Sequence, residues 1–203
     1  MPRGRAGLTV VASGLATVAA DTTERPRSFA TLWVPLTFVT APIVALDQWS
    51  KLYVRSHFHL DQSHPIVPNW FDLTYTLNPG AAFSLFATMP PRFRSVFFIA
   101  LSIVATVVLI ALMARRTTTM LSSIAFALVL AGTIGNLIDR VARGRVIDFI
   151  YFHHASFSYP VFNLADSAIT VGVALILLLS WLSPSPSDSP SPPKSSPACK
   201  HTN

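Results

Sequence analysis

The apolar residues of this chain are gathered into long blocks that contain no charged side chain. A helix needs about 20 apolar residues to cross the roughly 30 Å hydrocarbon layer of a bilayer. Three blocks are long enough alone, and a fourth is long enough if the preceding FNLAD joins its helix at the membrane edge. The pattern therefore predicts four transmembrane helices, at about residues 29–47, 93–114, 118–139 and 164–182.

The connections between the predicted spans alternate in length. A tight turn around Arg115 and Arg116 joins the second and third spans, whereas the other two connections are long and polar. Both termini are then expected on the side of the short turn. Eight Lys and Arg residues lie on that side and seven on the other, so the positive-inside rule favours cytoplasmic termini by a small margin.

The first long connection contains a strand signal. Residues 71 to 77, FDLTYTL, alternate between apolar and polar side chains, as in a half-buried strand. We expect a small sheet or hairpin at about residues 57–88, lying on the extracytoplasmic membrane surface. The predicted fold class is thus an all-α membrane protein, a four-helix bundle with a small surface β-sheet.

The two ends of the chain lack this organisation. Thirteen of the 21 residues in 183–203 are Pro or Ser, a composition that cannot form a core, and we expect a disordered tail. Residues 1–27 are interpreted as a disordered N-terminal extension, with a cleaved signal peptide as the alternative for its basic and modestly apolar start. Residues 28–182 then form the membrane domain.

Composition agrees with a membrane protein. Hydrophobic residues make up 51% of the 203 positions and charged residues 12%, about half of the share in soluble domains. The net charge of +6 comes from dispersed basic residues, which fit anionic lipid headgroups better than nucleic acid. The single cysteine, Cys199, excludes an intrachain disulfide and a Cys-based metal site.

The acidic residues are concentrated at the ends of the spans, and ionisable groups at membrane depth indicate function. Asp166 opens the fourth span, and Asp148 lies in the apolar run VIDFI. Two aspartates that meet there could hydrolyse an amide, one taking a proton from water while the other, protonated, polarises the carbonyl. An apolar setting favours the protonated form at Asp148 and a helix N-terminus the anion at Asp166. These two residues are the predicted catalytic dyad.

Several neighbouring polar residues have structural as well as functional readings. Asp47 and Lys51 have the spacing of a helical ion pair, which favours structural support. Asn136 and Arg140 share a helical face, and Arg140 either snorkels to the interface or donates hydrogen bonds to substrate carbonyls. Spacing alone does not separate these two readings.

Asn163 and Asp166 also fit an ordinary helix cap. Asn163 is placed as the N-cap of the last span, with Asp166 at the third helical position. Capping accounts for the position of Asp166 but not for that of Asp148.

Other catalytic chemistries lack their motifs. His57, His59 and His64 cluster loosely without an HExxH pattern, so we expect no metal and no cofactor. A serine hydrolase would need a Gly-x-Ser-x-Gly elbow, which the sequence does not contain.

Five motifs in order, DQWSK, NPGAAFS, GNLIDR, VIDFI and FNLADS, resemble those of the bacterial lipoprotein signal peptidase family, also called signal peptidase II. The resemblance covers about Thr31 to Leu182. It implies an aspartic endopeptidase of the bacterial plasma membrane that removes the signal peptide from prolipoproteins. Cleavage would fall just before a cysteine that carries a diacylglyceryl group, with the active site at the extracytoplasmic edge.

The resemblance also assigns residues. The catalytic pair of the family matches Asp148 and Asp166, the same acids selected above on physical grounds. Gly80 and its small neighbours would leave room for acyl chains and an extended peptide. The full set implied for substrate binding is Asn78, Gly80, Asn136, Arg140 and Asn163, and that for structural support is Asp47, Lys51 and Asp139.

The implied partners are lipid-modified prolipoprotein signal peptides, membrane lipids and cyclic peptide inhibitors of the globomycin type. We expect no nucleic acid partner, and a monomer. The main alternative function is a small ion or proton transporter in which the membrane-edge carboxylates form a relay. Relays place acids mid-span, which favours the peptidase, and a purely structural scaffold leaves two apolar-flanked aspartates unexplained.

Overall fold

A computed structural model describes residues 30–80, 90–115 and 118–182. The predicted N-terminal extension and Pro/Ser-rich tail lie outside these ranges. The helices are α1 (Ala30–Pro35), α2 (Ala41–His57), α3 (Pro91–Met113), α4 (Met120–Arg143) and α5 (Leu164–Leu182), and the strands are β1 (Ser63–Val67), β2 (Phe71–Asn78), β3 (Val146–His154) and β4 (Phe157–Ser158).

The first predicted span is helical but not a uniform α-helix. A π-helical stretch, Leu36–Thr40, joins α1 to α2, so the helical path is unbroken from 30 to 57. Pro35 and Pro42 bracket this stretch, and proline both removes an amide donor and crowds the carbonyl four residues earlier, which a wider turn relieves. The hydroxyl of Thr40 donates to the carbonyl of Ala127 on α4 at 3.1 Å.

The other three predicted spans correspond to single helices. Among the described residues, α3, α4 and α5 are each long and apolar enough to cross a membrane. Helix α4 begins after Thr119, whose side chain accepts a hydrogen bond from the amide of Ser122 at 3.2 Å. It ends at Arg143, and the next residue, Gly144, adopts the left-handed φ of +72° common at helix C-termini. The helix thus continues one turn past the predicted end at residue 139.

Helix α4 lies at the centre of the bundle and packs against the other helices. Its Ala127 and Leu130 form the buried core with Leu109 and Met113 of α3. The approach to α5 is close, because a Cβ atom on Gly132 would lie 2.1 Å from the carbonyl oxygen of Ala165. Small residues at such crossings let two backbones meet within a membrane.

The outward faces of the helices are strongly apolar. Large hydrophobic side chains that a water-soluble protein would bury are exposed along the whole bundle, which fits contact with lipid. Examples are Trp33, Phe38 and Leu46 before the first connection, Val96, Leu101, Val104 and Val107 on α3, and Val171, Leu177 and Trp181 on α5.

The sheet is antiparallel, in the order β1-β2-β3-β4, and it draws on both long connections. Only β1 and β2 lie within the region predicted to form strands. Strand β3 was not predicted, because its first four residues, Val146 to Phe149, are all buried and show no alternation. Its pairing sets Asp148 opposite Thr76 of β2, and the sheet thereby brings Asp148 to the start of α5.

Candidate active site

Asn163 joins the two predicted catalytic carboxylates. It is the residue before α5, and its Oδ1 accepts from the backbone amide of Asp166 at 2.9 Å, while its own amide donates to Asp166 Oδ2 at 3.4 Å. This is the reciprocal cap expected from the sequence. Its side-chain Nδ2 donates to Asp148 Oδ1 at 2.6 Å. One asparagine therefore contacts both aspartates at the start of α5.

Asp148 is almost fully buried, with 2% of its surface exposed. Its second carboxylate oxygen accepts from Nδ2 of Asn78 at 2.9 Å. Burial and, after it, the neighbouring carboxylate of Asp166 raise the pKa of Asp148 to about 7, although the hydrogen bonds from Asn78 and Asn163 oppose the change. The carboxyl group can therefore be protonated near neutral pH, as a general acid must be.

Asp166 is oriented by Asn136. Nδ2 of Asn136 donates to Asp166 Oδ1 at 2.7 Å. The Oδ1 atom of the same amide accepts from Lys51 Nζ at 3.1 Å and from Asn163 Nδ2 at 3.2 Å. Because two donors face its oxygen, the amide of Asn136 is fixed with its nitrogen toward Asp166.

Lys51 lies at the centre of a buried ionic cluster. Its ammonium group is 2.9 Å from Asp47 Oδ2 and 3.0 Å from Asp139 Oδ2, and all three side chains are fully buried. With Asn136 it has three acceptors for its three hydrogens, so the charge is fully hydrogen-bonded. Arg143, one helical turn after Asp139, forms a second ion pair with that carboxylate and balances the charge.

Each acid of this cluster also holds the backbone next to one aspartate of the predicted dyad. Asp47 Oδ1 accepts from the amide of Ala165 at 2.9 Å, and Asp139 Oδ2 accepts from the amide of Ile147 at 3.2 Å. Ala165 directly precedes Asp166, and Ile147 directly precedes Asp148. The cluster around Lys51 therefore ties the two segments that carry the dyad to a common point.

Gln48 belongs to the same cluster but was not predicted from the sequence. Its Nε2 donates to Asp47 Oδ2 at 3.1 Å and to the carbonyl of Gly135 at 3.0 Å. Gly135 has no room for a side chain, since a Cβ atom would lie 2.6 Å from Asp47 Oδ2. The sequence signal that could have identified Gln48 is its position within the DQWSK motif, directly after Asp47.

Arg140 faces a cavity of about 270 Å³ between α3, α4 and α5. Its guanidinium carbon lies 5.3 Å from the ring centre of Phe98, in a cation–π arrangement. Asn136 and Asp166 line the same cavity, so a guanidinium donor and one carboxylate of the predicted dyad share one space. Phe98 was not predicted, because it lies in an apolar span without a polar marker.

Gly80 permits close packing and does not open space at its own position. Its φ is +103°, and a Cβ atom would lie 2.5 Å from the ring of Phe98. Its amide donates to Asn78 Oδ1 at 2.8 Å, which orients Nδ2 of Asn78 toward Asp148. The neighbouring small residues at 81 and 82 lie outside the described residues.

A second, larger cavity of about 460 Å³ lies on another side of Asp166. The ring of Phe162 packs against Phe152 and Tyr159, with ring centres 6.0 and 5.7 Å apart. The complete lining consists of Phe152, Phe157, Tyr159, Phe162, Asp166, Ser167, Thr170 and Val171. We call this space the aromatic cavity.

The family model for signal peptidase II matches residues 39–182. The chain belongs to the signal peptidase II family.

Similar proteins agree with this assignment. A lipoprotein signal peptidase from Syntrophus aciditrophicus is 42% identical over 145 residues, covering 70% of this chain and 90% of the relative. One from Photorhabdus laumondii is 43% identical over 143 residues, covering 70% and 84%. Two solved structures of bacterial membrane enzymes align with TM-scores of 0.63 and 0.64 at 28% and 27% identity, covering 76% and 77% of this chain and 89% and 96% of theirs.

Membership of the signal peptidase II family confirms the predicted activity. The chain is an aspartic-type protease that removes signal peptides from prolipoproteins, and the transporter alternative is not supported. Its apolar helices make it an integral membrane protein. A mostly helical membrane enzyme with a small antiparallel sheet is the fold expected from the sequence.

Proposed function

We propose that this signal peptidase II cleaves diacylglyceryl-modified prolipoproteins just before the lipidated cysteine, with Asp148 and Asp166 as its catalytic pair. The observation that carries this proposal is the contact of Asn163 with both carboxylates. Two aspartates held together in a buried site can share one proton, which lets one act as acid and the other as base.

In the proposed reaction Asp166 takes a proton from a water molecule while the water oxygen attacks the scissile carbonyl carbon. Asp148, protonated, donates its proton to the carbonyl oxygen, and a tetrahedral diol forms. The diol collapses as Asp166 passes its new proton to the departing amine nitrogen, and Asp148 recovers a proton from the diol hydroxyl. The C–N bond breaks, and both carboxyl groups return to their starting states.

The remaining polar residues have supporting roles in this proposal. Arg140 donates to peptide carbonyls of the substrate from the wall of its cavity. Asn136 and Asn163 orient the dyad, and Asn78 does so while held by Gly80. Asp47, Lys51 and Asp139 support the fold from the buried cluster.

We propose four spans, with the path through α1 and α2 as the first, crossing the bacterial plasma membrane. Residues 30–46 of this helical path carry no charge, and Trp33, Phe38 and Leu46 are exposed, which supports its placement in the membrane. The sheet and the dyad then lie at the extracytoplasmic edge, and both termini are cytoplasmic. Residues 28–182 form the peptidase domain of a monomer.

Membrane lipids and cyclic peptides of the globomycin type are the further proposed partners. Both cavities border Asp166, so a ligand that fills either one would obstruct the dyad. This geometry supports competitive inhibition by a compact peptide.

The proposed cleavage site can be tested with one precursor in two forms. The full chain in lipid nanodiscs is incubated with a prolipoprotein that carries, or lacks, the diacylglyceryl group. We expect the modified form to be cut at the peptide bond before its cysteine and the unmodified form to be cut at least about 100-fold more slowly, since misplaced substrates lose rates of this order. Mass spectrometry of the products identifies the bond. Cleavage elsewhere, or equal cleavage of both forms, would contradict the proposal.

The pH dependence follows from the charge state of the dyad. Because the pKa of Asp148 is raised to about 7, its acid form is present below that value and is lost as the pH rises through it. We expect kcat/KM to fall above about pH 7, approaching a tenfold decrease per pH unit. The rate is measured from pH 5 to 9 with a lipid-modified peptide, and unfolding is monitored in parallel. A rate that stays flat to pH 9 would exclude Asp148 as the general acid.

A further inference from the structure

The aromatic cavity differs from the Arg140 cavity in what it offers a ligand. The Arg140 cavity contains a guanidinium group and the amide of Asn136, which suit a peptide backbone. In the aromatic cavity the hydroxyls of Ser167 and Thr170 donate to carbonyls of Asn163 and Asp166, at 3.0 and 2.9 Å. The two hydroxyls on the α5 side of the cavity are therefore already hydrogen-bonded to the backbone. Four aromatic rings form most of the remaining lining.

An unsatisfied peptide group in such surroundings would be costly, whereas a hydrocarbon chain needs no hydrogen bonds. The cavity volume of about 460 Å³ lies within the range of ligand sites. At its outer rim Phe157 and Val171 are 63% and 57% exposed, and the apolar face of α5 continues along Leu177 and Leu178. A chain in the cavity could therefore pass into the bilayer along α5.

The aromatic cavity is directly connected to the dyad. Asp166 forms part of its wall. Phe162, another wall residue, pairs with Ile150 of β3 through backbone hydrogen bonds of 2.8 and 3.0 Å, and it directly precedes Asn163. An occupant would thus lie against the segment that positions both carboxylates.

We propose that the aromatic cavity holds an acyl chain of the substrate's diacylglyceryl group during cleavage. This inference rests on the proposed function, because it takes the lipidated precursor as the substrate. Hydrocarbon gains little affinity on moving from lipid to an equally apolar cavity. The cavity therefore contributes to cleavage by orienting the substrate. Anchoring the lipid beside Asp166 holds the adjoining peptide bond in position for attack.

The test uses Val171→Trp, which fills the cavity from its rim, and Val173→Trp as the matched control. Val173 is also exposed on α5 but does not line the cavity. Each full-length protein in nanodiscs receives the same precursor peptide with two palmitoyl or two butyryl chains. For Val171→Trp we expect a decrease of about tenfold or more in kcat/KM for the long-chain substrate, a size typical of lost pocket complementarity, and little change for the short-chain substrate. The control should cleave both normally.

Cleavage of the short-chain peptide shows that a variant is folded. If Val171→Trp loses both activities equally, or keeps both, the cavity does not hold an acyl chain. A second measurement needs no activity: Asp148→Asn protein is photolysed with a precursor that carries a diazirine in one acyl chain. We expect labelling of the segment from Phe157 to Val171, reduced by the long-chain precursor but not by excess phospholipid. Labelling elsewhere, or equal competition by phospholipid, overturns the inference.

These results are separable from a failure of the proposed function. If the unsubstituted protein does not cut the lipidated precursor before its cysteine, the proposed function fails. If it does cut there while the cavity remains unlabelled, only the acyl-chain inference fails.

Discussion

Replacing Asp148 or Asp166 with Asn is expected to reduce cleavage of a lipid-modified precursor by at least about 10³-fold, within the range for loss of a general acid or base. Asn cannot exchange the proton that each step requires. Asn163 contacts both carboxylates, and residues that work as a unit have non-additive effects, so the double variant should be little worse than either single variant. Initial rates in nanodiscs measure the effect.

Asp72→Asn is the matched control for these substitutions. Asp72 lies on β2, and its half-buried carboxylate is 3.2 Å from Nε2 of His153. The same chemical change there should leave the cleavage rate within about twofold, because Asp72 lines neither cavity beside Asp166 and sites without shared partners act independently. Retained cleavage by a folded Asp148→Asn or Asp166→Asn protein would refute the aspartic mechanism assigned to these residues.

Lys51→Met is expected to destabilise the protein by about 3–5 kcal/mol, the cost of leaving a partner charge buried and unpaired. Asp47 and Asp139 would both lose the ammonium group that lies 2.9 and 3.0 Å away. The free energy of unfolding is measured by denaturant titration in detergent. Arg55→Met, an exposed change on the same helix, is the control and should have little effect.

A double variant distinguishes charge from shape at this position. Because Arg143 still pairs with Asp139, Asp47 is the carboxylate that Lys51→Met leaves without a cation, and adding Asp47→Asn should recover part of the lost stability. If Lys51→Met unfolds like the unsubstituted protein, the cluster does not support the fold in the proposed way.

The features that could be predicted from the sequence are those encoded over short distances. Uninterrupted apolar blocks specify the spans, because a helix in lipid satisfies its own backbone. The cap formed by Asn163 and Asp166 and the ion pair of Asp47 with Lys51 follow from spacings of three and four residues. The motif order then connects these local features to the family.

The features that could not be predicted depend on contacts between distant segments. Strand β3 is buried at its start and lacks alternation, so the strand that carries Asp148 gave no period-two signal. The hydrogen bond from Ile147 to Asp139 joins a strand to a helix end, and that from Ala165 to Asp47 spans 118 residues. No local pattern records either pairing, nor the cavities that flank Asp166.

The tethers from Asp47 and Asp139 have a consequence for how a bulky substrate is admitted. Both meet at Lys51 inside the bundle, so the backbone beside each aspartate of the proposed dyad is anchored to the helices. Asp148 also depends on the β1–β2 hairpin, because β2 pairs with β3 along the strand and Asn78 donates to its carboxylate. A bulky precursor that displaces the hairpin would therefore act directly on the alignment of Asp148, while the tether of Ala165 to Asp47 holds Asp166 from within the bundle.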